Sequence, residues 1–101
     1  MTNASVEYLD ENRLNELASR LCNENKVADA LKIYLYMAQC DPSLDGGTVG
    51  MKLAECYELL GDQHSAKYWV LRAVDENPQL WGQSALFMRL STLSINDIAG
   101  I

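Results

Sequence analysis

The sequence predicts an all-α domain built as a helical-repeat array of two helix–turn–helix units plus a C-terminal closing helix. Three observations carry this expectation. Apolar and small residues recur at helical spacing in five successive stretches, the first four each ended by a turn former. The stretches also pair. Moving the chain by 36 residues lays Leu17 on Leu53, Ala18 on Ala54, Asn25 on Gly61, Ala30 on Ala66, Tyr34 on Val70 and Pro42 on Pro78. Self-similarity at a fixed period of this size marks stacked helical hairpins. Finally, Ala66 and Ala73 share a stripe with Val70. Small side chains there let a neighbouring helix come close.

At 101 residues the chain is one domain. Residues 1–8 carry no strong period and are either disordered or add a turn to the first helix; 1–9 form an N-terminal segment. The domain spans 10–94, with one repeat over about 12–44, a second over about 48–80 and a closing helix over about 80–93. A tail covers 95–101.

The first helix starts after Asp10, or after Ser5 if it begins earlier, since either side chain can cap free backbone N–H groups. Its stripe is Leu14, Leu17, Ala18 and Leu21, and it stops at Asn23-Glu24-Asn25. Asparagines tolerate turn conformations. A second stripe, Val27, Ala30, Leu31, Tyr34, Met37 and Ala38, stops at Asp41-Pro42. The connection Ser43 to Thr48 holds Gly46-Gly47, a short insertion, and Thr48 is placed to cap the next helix.

The third stripe is Leu53, Ala54, Tyr57 and Leu60. Gly61 suits the left-handed residue that follows a helix, and Asp62 suits the next N-cap. The fourth stripe, Ala66, Val70, Ala73 and Val74, ends at Asn77-Pro78, because proline cannot continue a helix. Leu80, Trp81, Ala85, Leu86, Met88, Leu90 and Leu93 form the fifth pattern. An array leaves an apolar face at its last repeat, and this helix would cover it. Ser94 would cap a last turn holding Ile95, Ile98 and Ile101.

The paired stretches resemble the tetratricopeptide repeat, whose unit is a helix–turn–helix of about 34 residues. The second unit carries the family's small and aromatic positions at Leu53, Ala54, Tyr57, Gly61, Ala66, Ala73 and Pro78. The first matches at Leu14, in place of Trp, and at Leu17, Ala18, Ala30, Tyr34 and Pro42. It departs at Leu21, where the family prefers Tyr, and at Met37, where it prefers Ala. The resemblance implies a right-handed array that binds peptides or partner proteins along a concave surface lined by the first helix of each repeat. It implies no catalysis. One subgroup grips a peptide's terminal carboxylate with Lys and Asn. The matching positions here are Asn15, Ser19, Met51 and Glu55, which offer no lysine and one charge of the wrong sign.

On this reading the binding surface carries Asn15, Ser19, Cys22, Asn23, Met51, Glu55, Glu58 and Leu59. It is mildly acidic with an apolar portion, so a basic and apolar segment of a partner would complement it. The alternative is a groove left empty or covered by the chain's own termini. A second surface comes from Leu35, Tyr36, Tyr68 and Leu71, which would form an apolar patch on the outer face. Either Val6, Tyr8 and Leu9 fold back over it, or another molecule does. Arrays usually need about three repeats for stability. With only two, a homodimer or an obligate partner is expected.

Net charge is −6 and the basic residues are scattered, which argues against nucleic acid and anionic membranes. It argues likewise against helical-repeat RNA binding, since Glu55 and Glu58 stand where a basic groove is required. No apolar run reaches the ~18 residues of a spanning helix. The opening MTNASVEYLDEN lacks a secretory h-region, so a cytoplasmic setting is expected. Cys22, Cys40 and Cys56 lie far apart in helical patterns and read as small apolar groups rather than metal ligands. His64 has no nucleophile beside it and reads as a surface residue. Glu55 and Glu58 read as a solvated face rather than an acid/base pair. Gly46-Gly47 lacks the spacing of a phosphate loop.

The expected function is a non-catalytic protein–protein interaction module, adaptor-like or secretion-chaperone-like, without cofactors. The alternative is a self-assembling structural scaffold.

Overall fold

The computed structural model describes residues 11–94, 97 and 98. The described part is all-helical. Its order is α1 (Glu11–Asn23), α2 (Val27–Cys40), α3 (Thr48–Leu59), α4 (Gln63–Glu76), α5 (Pro78–Trp81) and α6 (Ala85–Ser91). The expected caps at Ser5 and Asp10, the Val6, Tyr8 and Leu9 cover, and Ile95 and Ile101 lie outside the described residues.

Each long helix packs on the next in sequence: α1 on α2, α2 on α3, α3 on α4, and α4 on α5 and α6. The result is elongated, 52 × 29 × 19 Å. The 36-residue offset found in the sequence recurs in the elements. Shifting the bounds of α2 by it gives the bounds of α4. Ala18 and Ala54 are both fully buried, as are Ala30 and Ala66, while Tyr34 and Val70 are both buried. Asn25 and Gly61 are both left-handed, with φ of 63° and 83°, one residue type tolerating that conformation and the other free in it. Leu17 breaks the correspondence: it is 40% exposed, whereas Leu53 is fully buried.

The core has two clusters, and α3 divides its side chains between them. Val49, Leu53 and Cys56 join Ala18, Ala30, Tyr34 and Met37. Met51 and Ala54 join Ala66, Val70, Ala73, Leu86 and Leu90. Tyr57 and Trp69 pack against both. Fully burying one leucine such as Leu53 or Leu90 stabilises the fold by about 1.5–3 kcal/mol relative to exposure.

Local chemistry sets the element ends. Asp62 Oδ1 accepts from the Ser65 backbone N–H at 3.1 Å and caps α4. Asn77 Oδ1 accepts from the Leu80 N–H at 3.2 Å and starts α5 with proline in its first turn. Ser94 Oγ accepts from the Asp97 N–H at 3.1 Å and caps the last turn.

Two expectations are corrected. Thr48 does not cap α3; the N-cap is Gly47, left-handed at φ 91° and without a side chain. Nor is 80–93 one helix. The chain breaks after Trp81, and Ser84 opens α6 by accepting from the Phe87 N–H at 3.2 Å. Leu80 and Met88, counted in that helix's apolar stripe, are exposed.

The connection between α2 and α3 is more than a spacer. Leu44, Asp45, Gly46 and Gly47 are all left-handed, and Leu44 is buried at 1% exposure. Asp41 holds the turn by accepting from Ser43 N–H, Ser43 Oγ and Asp45 N–H. These bonds hold its carboxyl below the usual carboxylate range. Trp81 Nε1 donates to the Gly46 carbonyl at 2.9 Å, tying α5 back onto this connection. A Cβ at Gly47 would lie 2.6 Å from Trp81 Nε1 and 2.7 Å from the Ala73 carbonyl, so only glycine fits there.

Candidate functional site

Side chains of α1 and α3 face each other across a groove, and Tyr34 of α2 forms part of its lining. At one end a cavity of about 190 Å³ is lined by Ser19, Cys22, Asn23, Tyr34, Lys52, Glu55, Cys56 and Leu59. A smaller one of about 60 Å³ adds Glu11, Asn12, Asn15, Met37, Asp45, Thr48 and Val49, and shares Tyr34 and Lys52 with the first. Helical spacing explains the groove's walls. Asn12, Asn15, Ser19 and Cys22 follow one face of α1, at i, i+3, i+7 and i+10. Lys52, Glu55, Cys56 and Leu59 follow one face of α3, at i, i+3, i+4 and i+7.

The expected binding residues therefore divide. Asn15, Ser19, Cys22, Asn23, Glu55 and Leu59 line the groove. Met51 and Glu58 do not. Met51 is buried in the second core cluster with Leu86 and Leu90. Glu58 accepts two hydrogen bonds from Arg89 of α6, from Nε at 2.9 Å and Nη2 at 2.8 Å. Met51, Ala54 and Glu58 occupy the α3 face turned toward α6, at i, i+3 and i+7. The expectation pooled two faces of one helix into a single surface.

Lys52 and Tyr34, which line both cavities, are among the groove residues that sequence reasoning missed. Lys52 precedes Glu55 by three positions, and that spacing on a helix was the available signal. It adds a basic residue to a lining that also holds Glu11, Asp45 and Glu55. Tyr34 lies on the apolar stripe of α2, whose spacing predicts a core position. It is buried, at 2% exposure, and it also reaches the groove.

The groove's electrostatics follow from burial. Desolvation pushes the Tyr34 hydroxyl up, opposed by a hydrogen bond with the Ser19 side chain. Desolvation also pushes the Cys56 thiol up to about 12, reinforced by the neighbouring Cys22 and Glu55. Cys22 and Cys56, far apart in the chain, line the same cavity. At the other seam, the Arg89 hydrogen bonds hold the Glu58 carboxyl below the usual glutamate range. Among the described residues, no group of three or more His, Cys, Asp or Glu side chains is placed to hold a metal ion.

The outer patch is also divided. Tyr68 and Leu71 line a largely apolar cavity of about 360 Å³ with His64, Lys67 and Ile98. Leu35 and Tyr36 do not line it; Leu35 is half-buried against the first core cluster and Tyr36 is exposed. Arg72 lies over the Tyr68 and Trp69 rings, 6.0 and 5.6 Å from their centroids, and covers part of this face. No helix among the described residues is long and apolar enough to cross a membrane.

No protein-family model matches the chain, and comparisons with curated proteins and with solved structures give no match.

Proposed function

We propose that this chain is a non-catalytic protein–protein interaction module of the tetratricopeptide-repeat type. On this reading it is a right-handed array of two repeats that takes a peptide segment in the α1/α3 groove. The observation that carries the reading is the groove itself. Two helix faces present amide, hydroxyl, thiol and charged groups and the exposed Leu59 to one trough. Binding sites typically combine apolar lining with a few convergent polar groups. The 36-residue correspondence of helix bounds, buried alanines and left-handed turn residues supports the repeat part.

The groove's carboxylates outnumber its one lysine, so the favoured occupant carries basic and apolar side chains. Selection of a random peptide library on the immobilised chain tests this. Basic–apolar sequences should enrich on the parent chain and fail to enrich on a Leu59→Asp, Glu55→Lys variant that melts normally. Equal enrichment on both would rule the groove out.

A second reading, self-assembly through the outer face, is favoured by the Tyr68 and Leu71 cavity. Sedimentation velocity over a concentration series distinguishes it. A homodimer lost in Leu71→Glu supports it, and a monomer at all concentrations removes it.

A further inference from the structure

We infer that the outer face of α1, built on Arg13, Leu17 and Arg20, docks an acidic amphipathic helix of a partner protein. The 36-residue register leads to this face. Of the α3 side chains, Val49, Leu53 and Cys56 belong to the first core cluster, which they share with Ala30, Tyr34 and Met37 of α2. Counting back 36 positions from those three gives Arg13, Leu17 and Arg20. The register that α3 buries against α2 is therefore the register that α1 turns outward, since among the described residues no helix precedes α1. All three side chains are exposed, Leu17 by 40%. They line one cavity of about 320 Å³ together with Leu14 and Glu16.

The residue types at these positions set the chemistry of what fits. On α3 the three are valine, leucine and cysteine, and the helix packed there answers with apolar groups. On α1 the central leucine is kept, and a guanidinium stands on either side of it. Two of the four arginines of an acidic chain thus share one helix face, at i and i+7. That spacing is about 10.5 Å along the axis. Carboxylates seven residues apart on an incoming helix match it, and an apolar residue between them covers Leu17. Arginine holds a carboxylate through paired, charge-assisted hydrogen bonds. Arg20 has no ion-pair partner among the described residues. Leu14, half-buried against the first core cluster, extends the apolar floor between the charges. An apolar stripe bracketed by charge is what an amphipathic helix recognises.

This face is distinct from the α1/α3 groove, since Arg13, Leu17 and Arg20 line neither groove cavity. The two surfaces also ask for opposite charge. Carboxylates dominate the groove, whereas arginines dominate here, with Glu16 on the same cavity opposing any acidic segment whose carboxylates fall out of register.

The test uses the full chain and a fluorescein-labelled, alanine-rich synthetic helix carrying two glutamates seven residues apart with leucine between them. Fluorescence anisotropy should show saturable binding that weakens as salt is added. Leu17→Asp should weaken it by about tenfold or more, as should Arg20→Glu. A peptide with lysine in place of both glutamates should reverse the preference, binding an Arg13→Glu, Arg20→Glu double variant better than the parent. That reversal decides alone if Leu17→Asp fails to fold. The Leu59→Asp, Glu55→Lys groove variant should bind the acidic helix as the parent does. No saturable binding, equal binding of a peptide whose glutamates are moved off the seven-residue spacing, or indifference to the charge reversal would overturn the inference. Binding that appears only after Val6, Tyr8 and Leu9 are each changed to Asp would overturn it too, by assigning the face to the chain's own N-terminal segment.

Discussion

The two seams along α3 make the most informative comparison in this molecule. One side of the helix faces α1 and the other faces α6. Under the 36-residue offset, Asn15, Ser19 and Cys22 of α1 correspond to Met51, Glu55 and Glu58 of α3. Asn15 and Cys22 border an open groove. Their counterparts Met51 and Glu58 are covered, one by Leu86 and Leu90 and the other by Arg89. Equivalent register gives opposite outcomes because the neighbours differ. The α6 side chains Leu86 and Leu90 reach into the core, whereas α3 turns Lys52, Glu55 and Leu59 toward α1. Positions in the same register are thus left open only where the next helix does not cover them.

The largest effect should come from prying the closed seam open. Leu90→Ala removes a side chain with 1% exposure from the contact with α4 and α3, and is expected to cost about 2–5 kcal/mol. Urea denaturation should show this as a lower midpoint. An unchanged midpoint would mean that α6 does not hold the second core cluster together.

Next come changes to the hairpin that joins both seams. Ala66→Leu overfills a fully buried contact and should cost about 1–3 kcal/mol by the same measurement. Gly47→Ala drives a methyl group into Trp81 and the Ala73 carbonyl at a left-handed residue, and should also cost about 1–3 kcal/mol. Gly46→Ala sharpens the comparison. It shares a positive φ of 63° but meets nothing within 4 Å, so it should cost less.

Smaller still is the polar latch of the closed seam. The folded-state value of Glu58 is depressed by Arg89. Its stabilisation is therefore fully present above the unfolded glutamate's ordinary value, and is lost as pH falls through the lower folded value. Thermal melts of Glu58→Gln and the parent should differ at neutral pH and converge in acid. A difference that persists after Glu58 is protonated would assign the effect to packing instead.

The smallest effect on stability belongs to the open seam. Leu59 is 70% exposed, so Leu59→Ala should change stability by no more than about 0.5 kcal/mol while weakening peptide binding. A large loss of stability would mean that the groove edge is packed shut.

Much of the fold was legible in the residues because small side chains and turn formers act locally. Ala18, Ala30, Ala54 and Ala66 are buried as their stripes required, and Gly61 and Asp62 end and begin helices as expected. What was not legible depended on contacts distant in sequence. Leu44 looks like a loop residue but is buried, because four left-handed residues fold the connection inward. The Trp81 bond to Gly46 spans 35 positions and has no local signature. The groove was half legible. Its α1 wall follows from periodicity alone, but which face of α3 it meets depends on where α6 docks. That Cys22 and Cys56 line one cavity was hidden for the same reason, since it follows only where α1 and α3 border the same groove.

The central claim is that the α1/α3 seam is open for a partner while the α3/α6 seam is shut. Backbone amide NMR shifts, recorded while a library-selected basic–apolar peptide is titrated in, test it most directly. Shifts should concentrate at Ser19, Asn23, Lys52, Glu55 and Leu59 and leave Met51, Leu86 and Arg89 in place. Shifts centred on Met51 and Arg89, with the α1 wall unmoved, would contradict it.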